Sequence, residues 1–188
     1  MIEIQIDMQD KHRNVAAAHL LLLAGQQAKL CGRVYNSPLN PASQIAIVQL
    51  DQHPIEPNDK PHTADFIIMQ NEVSLNNPEI TRQLNADTGI LLDSTQNSTV
   101  LSAQYQRNII TLPAEGWAEL ILGRKTPDTA LLAAFVTLTN IFPSSTLADI
   151  LRLRFKGAML ERNLTMMNEA VNAVTAEAHW IDKCKALI

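Results

Sequence analysis

The chain has 188 residues and a formal net charge of -4, which favours one domain and argues against nucleic acid or an anionic membrane as its main partner. Apolar residues make up 46% of the sequence and aromatic residues only 4%, so we expect a core of Leu, Ile, Val and Ala. Charged residues make up 18%, below the roughly 25% of an average soluble chain, which indicates that a partner covers part of the surface.

The first part of the chain predicts a strand, a helix and two further strands. Residues 2–7 alternate apolar with polar side chains, which is the period-two pattern of a strand. Residues 15–30 are rich in Ala and Leu and predict a buried helix, with Asn14 as its N-cap. Two β-branched runs, at residues 34–35 and 45–50, predict short strands on either side of a turn-forming stretch.

The middle of the chain contains three compact apolar runs, at residues 64–69, 89–94 and 108–112. They end in polar residues or proline, as strands buried in the centre of a sheet do. Residues 75–85 predict a short helix, whereas the three prolines within residues 52–62 exclude a regular element there. Strands that alternate with helices at this spacing predict an α/β fold with crossover connections.

The remainder of the chain has a helical pattern. We predict helices at residues 114–122, 128–141, 144–157 and 158–179. The predicted fold is therefore an α/β three-layer sandwich with a mostly parallel central sheet and a helical C-terminal part. No internal repeat, low-complexity tract or linker interrupts residues 1–188, so we expect one domain.

Three features of the sequence bear on the cellular compartment. The amino terminus carries Glu3 and Asp7 within its alternating pattern, so we expect no signal peptide. The longest apolar stretch, residues 15–25, is about half of the roughly 20 residues that a membrane span needs. Cys31 and Cys184 are too few for a disulfide framework or a four-thiolate cluster. We therefore expect a cytoplasmic protein that has no membrane as partner.

The loop between the first strand and the first helix, residues 8–14, is where a nucleotide-binding βα unit carries glycines. This loop has no glycine, and its Asp10 would repel a phosphate. Lys11, His12 and Arg13 can still place positive charge at the amino terminus of a helix, where anions are favoured. A solvated loop is the simpler interpretation, and binding of a phosphate or carboxylate is the alternative.

Other residues with useful chemistry do not identify an active site. The histidines lack the spacing of metal ligands, and the sequence has neither a GxSxG elbow nor a Walker loop. Asp65 and Asp93 flank buried strands, and we interpret them as loop or cap residues rather than catalytic acids. Arg152 and Arg154 alternate with leucines on a predicted helix, which indicates a solvated edge or an interface.

Three segments follow one another as they do in a known family. Residues 55–69 combine Ile, Pro and Asp with an apolar strand, residues 89–94 read Gly-Ile-Leu-Leu-Asp-Ser, and residues 112–123 begin Leu-Pro-Ala and end Leu-Gly. Segments of these types mark the gamma subunit, or gamma domain, of the thiamine-diphosphate-dependent 2-oxoacid:ferredoxin oxidoreductases. The chain resembles that subunit over nearly its whole length. The family includes the pyruvate, 2-oxoglutarate and indolepyruvate enzymes.

Two segments depart from the pattern of that family. Its GxGGQG loop is replaced by residues 8–14, and its Tyr-Gly-Pro-Glu-x-Arg-Gly-Gly segment by residues 35–43, which lack the Arg and the glycines. In the family these regions lie toward the catalytic centre and its coenzyme A or thiamine environment. The resemblance implies a weak anion- or cofactor-binding role here, with the candidate residues Lys11, His12, Arg13, Asn14 and Tyr35.

The resemblance also implies how the chemistry is divided between subunits. The chain has no Gly-Asp-Gly…Asn thiamine-diphosphate motif and no cysteine set for a cluster. We therefore expect no catalysis and no cofactor on this chain alone, with thiamine diphosphate, iron–sulfur clusters and coenzyme A in partner subunits. The implied role is an accessory gamma-type subunit that helps assembly or completes a site built by alpha and beta subunits; a homodimer is the other expected assembly. The alternative is a stand-alone module that binds a small anion or nucleotide.

Overall fold

The computed structural model describes residues 1–36, 45–56 and 63–187. Most of the segment 35–43 and part of the proline-rich stretch 52–62 therefore lie outside the described residues. Within those ranges the strands are β1 (Ile2–Asp7), β2 (Cys31–Asn36), β3 (Ala46–Asp51), β4 (Phe66–Met69), β5 (Gly89–Asp93) and β6 (Asn108–Leu112).

The described strands form one sheet in the spatial order β2-β3-β1-β4-β5-β6. Strands β1, β4, β5 and β6 run parallel to one another, whereas β3 is antiparallel to both β1 and β2. The sheet is therefore mostly parallel, as predicted. Because neighbouring parallel strands end at the same edge, the carboxyl ends of β1, β4, β5 and β6 meet there.

Helices cover both faces of this sheet. In chain order they are α1 (Lys11–Gln27), α2 (Pro78–Thr81), α3 (Ser98–Tyr105), α4 (Ala114–Leu122), α5 (Asp128–Thr139), α6 (Ser144–Arg154), α7 (Gly157–Ala173) and α8 (Ala178–Cys184). The larger apolar cluster joins α1 and α4–α8 to Ile4, Ile6 and Phe66 of the sheet. The smaller cluster joins α2 and α3 to Ile67 and Ile90 on the opposite face. The predicted three-layer α/β fold is confirmed.

No helix in the described ranges is both long and apolar enough to cross a bilayer. The most apolar helices owe their composition to the core instead. Helix α5 has ten of its residues buried, because it lies between the sheet and the other helices of its layer.

The first helix begins earlier than predicted, because Asp10 rather than Asn14 is its N-cap. The Asp10 carboxylate accepts the backbone N–H of Arg13 at 2.9 Å. Asn14 instead lies fully buried in the first turns, where its Oδ1 accepts the backbone N–H of Met8. The apolar periodicity starts only after this polar turn, which explains why the sequence pattern placed the boundary at residue 15.

The prediction of one helix at residues 75–85 is wrong. A 3₁₀ helix at Glu72–Asn76 is followed by the single turn of α2, with Asn77 extended between them. Asn77 precedes Pro78, and the residue before a proline disfavours the α conformation. Helix α3 was not predicted, because Leu101 is its one buried residue and supplies no apolar period.

The predicted last helix, residues 158–179, divides into α7 and α8. Val174 has an extended backbone that ends α7. The N–H of Glu177 then bonds to the carbonyl of Leu138 at 3.0 Å, and its side chain caps the start of α8. The other predicted strands and helices are confirmed, with boundaries shifted by a few residues.

Candidate functional site

An open crevice lies where the carboxyl ends of the parallel strands meet. Its volume is about 480 Å³, and it is lined by Gln70, Glu72, Asp93, Ser94 and Glu115 among others. Open α/β sheets bind ligands outside the carboxyl ends of their strands, so this position is the first place to look for chemistry. We refer to this site as the strand-end crevice.

Asp93 is the last residue of β5 and holds the start of α4. Its two carboxylate oxygens accept the backbone N–H of Glu115 at 3.1 and 3.0 Å. Burial raises the pKa of Asp93 to about 6, although the N–H of Glu115 acts in the opposite direction. Through these contacts Asp93 binds a backbone N–H in the first turn of α4, as a capping side chain does.

Arg13 joins α1 to the opposite side of the strand-end crevice. Its guanidinium forms a bidentate ion pair with Asp128 at the start of α5. A further N–H of the same guanidinium bonds to the amide oxygen of Gln70 at 2.7 Å and to the Met8 carbonyl at 3.3 Å. The guanidinium therefore connects α1 and α5 to the residues that follow β1 and β4, and its donors are already engaged within the protein.

The contact chain continues from Gln70 across the mouth of the crevice. The Gln70 side-chain amide donates to Glu115 at 3.1 Å, and Lys125 lies 3.2 Å from the other oxygen of Glu115. The amide of Gln70 and the ammonium of Lys125 hold the pKa of Glu115 below its ordinary value. We refer to the series Asp128–Arg13–Gln70–Glu115–Lys125 as the Arg13 network.

The remaining carboxylates at this edge are also bound within the protein. Asp7 at the end of β1 accepts the Ser74 hydroxyl at 2.6 Å. Glu72 accepts the Ser94 hydroxyl at 2.6 Å and the Gln96 amide at 2.9 Å. The strand-end crevice is thus built of polar groups that satisfy one another, an arrangement that fixes a rigid surface.

The residues predicted to bind an anion do not all come together. Lys11 and His12 are exposed on the first turn of α1, next to Arg13, while Asn14 is buried beneath them. Tyr35 lies on β2 and packs against the smaller apolar cluster, on the opposite face of the sheet from α1. Its hydroxyl lies 3.2 Å from Glu3, and burial beside that carboxylate raises the pKa of Tyr35.

The first turn of α1 holds a carboxylate where an anion would be expected. Asp10 accepts the N–H of Arg13, and this backbone hydrogen bond is the main cause that lowers the pKa of Asp10. Sequence reasoning missed Gln70, Glu115 and Asp128 as site residues. Their positions directly after a strand or at the start of a helix were the one available signal.

Side chains that can bind a metal ion, and the two thiols, are the remaining groups to consider as cofactor ligands. In the part of the chain that the structure describes, no three His, Cys, Asp or Glu side chains are placed to hold a metal ion. Cys31 is the first residue of β2 and Cys184 is buried at the end of α8, so the two thiols belong to different elements. Burial raises the pKa of the Cys184 thiol to about 12, which makes it a poor ligand or nucleophile.

Comparison with solved structures gives proteins of the same fold. Pyruvate oxidoreductase subunit PORC from Thermotoga maritima is 17% identical with a TM-score of 0.73, over 91% of this chain and 95% of that one. The gamma subunit of a keto/oxoacid ferredoxin oxidoreductase from Geobacter sulfurreducens is 15% identical with a TM-score of 0.67, over 93% of this chain and 100% of that one.

A third similar structure has a longer chain. It is the 2-oxoglutarate:ferredoxin oxidoreductase from Magnetococcus marinus, 14% identical with a TM-score of 0.70, over 94% of this chain and 32% of that one. No curated protein matches the sequence. The sequence model of the pyruvate ferredoxin/flavodoxin oxidoreductase family, however, matches residues 17–173. Since this match spans most of the sequence, the chain belongs to the pyruvate ferredoxin/flavodoxin oxidoreductase family, and the predicted resemblance is confirmed.

Proposed function

We propose that this chain is an accessory gamma-type subunit of a 2-oxoacid oxidoreductase, with pyruvate among the candidate substrates. The similar chain from Geobacter sulfurreducens is named a gamma subunit and is covered over 100% of its length. The similar chain from Magnetococcus marinus is covered over 32%. The same fold therefore occurs both as a separate subunit and as one part of a longer enzyme chain, which supports a single domain that acts within an assembly.

The state of the strand-end crevice is the observation that supports an accessory role. Its polar side chains bind groups of the same chain: Gln70 donates to the Glu115 carboxylate, and Asp93 accepts the backbone N–H of Glu115. A catalytic acid or base needs access to a substrate proton, and a ligand grip needs free donors. The crevice instead supplies a fixed surface against which partner subunits can complete a site.

The proposed partners carry the redox chemistry. Alpha and beta subunits would hold thiamine diphosphate and the iron–sulfur clusters, and coenzyme A would bind mainly to them. A cytoplasmic location follows from this assignment, because the proposed ferredoxin-type acceptors work there. The complex as a whole would oxidatively decarboxylate a 2-oxoacid.

A native pull-down tests the proposal directly. The full chain, tagged and expressed in its source cells, is purified at low salt, and the co-purifying polypeptides are identified by mass spectrometry. We expect a thiamine-diphosphate-dependent subunit in fixed stoichiometry with the chain. Recovery of the chain as a monomer, or as a homodimer without such a subunit, would contradict the proposal.

A stand-alone anion-binding module is the second candidate, and the exposure of Lys11 and His12 on the first turn of α1 favours it. Arg13, Asn14 and Tyr35 would have to give up internal contacts to join them. Isothermal titration with phosphate, a nucleotide and coenzyme A tests this candidate. It requires heat of binding that the double variant Lys11→Ala/His12→Ala loses, and no heat with any of the three would exclude it.

A further inference from the structure

A second cavity, of about 440 Å³, lies among the helices that cover one face of the sheet. It is bounded by α1, the loop after α4, the start of α5 and the turn between α6 and α7. Leu20, Leu122 and Phe155 supply apolar surface, and Arg124 and Arg154 also line the cavity. We refer to it as the basic cleft.

The positive charge of the basic cleft is not neutralised within the described residues. Arg154 is exposed and forms no ion pair there, and the described contact of the Arg124 guanidinium is with the sulfur of Met159 at 3.8 Å. Asp128 is the acidic residue that lines the cleft, and its carboxylate is already paired with Arg13. A chain with a net charge of -4 thus presents a local surplus of cations at this cavity.

Apolar side chains lie beside these cations. Leu23 lines the cleft with 47% of its surface exposed, and Leu153, the neighbour of Arg154 in sequence, is 74% exposed. Large apolar side chains that remain in solvent next to a polar rim mark interaction surfaces. The basic cleft therefore combines an apolar interior, the exposed Leu23 and two arginines, Arg124 and Arg154, that form no ion pair within the described residues.

This combination selects the chemistry of the occupant. An interface has an apolar anchor that enters a pocket, surrounded by a polar rim. A free inorganic anion would satisfy Arg124 and Arg154 but leave Leu23 and Phe155 uncovered. An acidic polypeptide segment with a large apolar side chain would cover both kinds of group, because its carboxylates reach the rim while the side chain enters the cavity.

We propose that the basic cleft docks an acidic segment of a partner subunit, with an apolar side chain of that segment in the cavity and its carboxylates on Arg124 and Arg154. This inference rests on the proposed function, since it takes the partner to be a subunit of the oxidoreductase. Only 18% of the residues are charged, which agrees with a surface that a partner covers.

Charge reversal in the native complex tests the docking surface. The tagged full chain is expressed in its source cells as wild type, as Arg154→Glu and as Arg124→Glu/Arg154→Glu, and the partner subunits recovered per mole of chain are quantified. We expect recovery to fall at least about tenfold in the double variant, and to fall for the wild type as salt is raised. A Leu23→Asp variant tests the apolar half of the surface and should lose partner as well.

Matched controls carry the same substitutions on the other helical layer. Arg82→Glu reverses an exposed arginine after α2, and Val100→Asp replaces a side chain of α3 that is 56% exposed. Both should retain the partner at the wild-type level. Circular dichroism melting of each purified variant shows that it is folded, as expected for substitutions at exposed positions.

The outcomes separate this inference from the proposed function. Partner loss in the cleft variants alone supports docking in the basic cleft. If the cleft variants keep their thiamine-dependent partner, the docking surface is elsewhere, and only this inference is overturned. If they keep the partner but lose calorimetric binding of phosphate or coenzyme A, the cleft is a small-anion site and the inference is again wrong. If the wild type captures no such partner, the proposed function fails first.

Discussion

The strand-end crevice and the basic cleft lie on either side of Arg13, which lines the cleft and donates to Gln70 of the crevice. The polar groups of the two sites differ in whether they have partners within the protein. In the crevice, carboxylates, amides and hydroxyls are bonded to neighbours on other elements. In the cleft, Arg154 has no ionic partner among the described residues, and Leu23 stays exposed. The polar side chains of the crevice are therefore bonded within the protein, whereas the arginines of the cleft face solvent.

From this difference we infer that the strand-end crevice stabilises the fold and that the basic cleft is the surface to test for binding. The position that binds ligands in other open α/β sheets is here used to hold the protein together. A site that has lost its ligand keeps its geometry only if its polar groups find new partners, since unpaired buried polar groups are costly.

The largest expected contrast in stability is between Arg13 and Arg154. Replacing Arg13 by Ala leaves the partly buried Asp128 carboxylate without its cation and should lower the free energy of unfolding by about 2–3 kcal/mol. Arg154 is exposed and forms no ion pair within the described residues, so Arg154→Ala should change the free energy of unfolding by less than about 0.5 kcal/mol. Urea unfolding of both variants measures the difference, and equal costs would contradict the contrast between the two regions.

A smaller effect is expected within helix α1. Asn14 is fully buried and accepts the N–H of Met8, so Asn14→Ala leaves that amide unsatisfied and should cost about 1–2 kcal/mol. His19 lies on the same helix but is exposed and lines the basic cleft, and its ring Nδ1 lies 2.8 Å from the Val15 carbonyl oxygen one turn earlier. His19→Ala should therefore lower the melting temperature far less than Asn14→Ala. The opposite order would show that the first turn is not fixed from within.

A pH dependence of stability caused by Asp93 is also expected. Its folded pKa of about 6 exceeds the ordinary 3.8, so between these values the folded protein holds a proton that the unfolded chain has lost. The stability contributed by Asp93 is therefore complete below about pH 4 and is lost as the pH rises through 6. The Asp93→Asn variant, which keeps an acceptor for the Glu115 N–H, should lack this decline. Parallel pH curves for wild type and variant would contradict the assignment.

The sequence pattern predicted the fold in the places where burial dictates composition. The runs that became β4 and β5 are apolar up to the terminal Asp93 of β5, because helices cover both faces of these strands. The pattern did not predict the start of α1, where two nearby residues could each cap the helix. Asp10 and Asn14 are both of residue types that cap helices, and the hydrogen bond from the Arg13 N–H to Asp10 shows which one is used.

The candidate site was less predictable than the fold for a related reason. Arg13 was noted as a cation at a helix start, but its partner Asp128 is 115 residues away in sequence. No local pattern reports a contact of that separation, so the positive charge looked available when it is neutralised. Arg154 was predicted to lie on a solvated or interface edge, and it is exposed at the rim of the basic cleft.

In the proposed function, this chain completes a 2-oxoacid oxidoreductase whose cofactors are held by partner subunits. The most direct test purifies the thiamine-dependent partner from cells with and without the chain, and measures 2-oxoacid-dependent reduction of an electron acceptor. We predict that this reduction is lost without the chain and returns when purified chain is added. Full activity in the absence of the chain would contradict the proposed function.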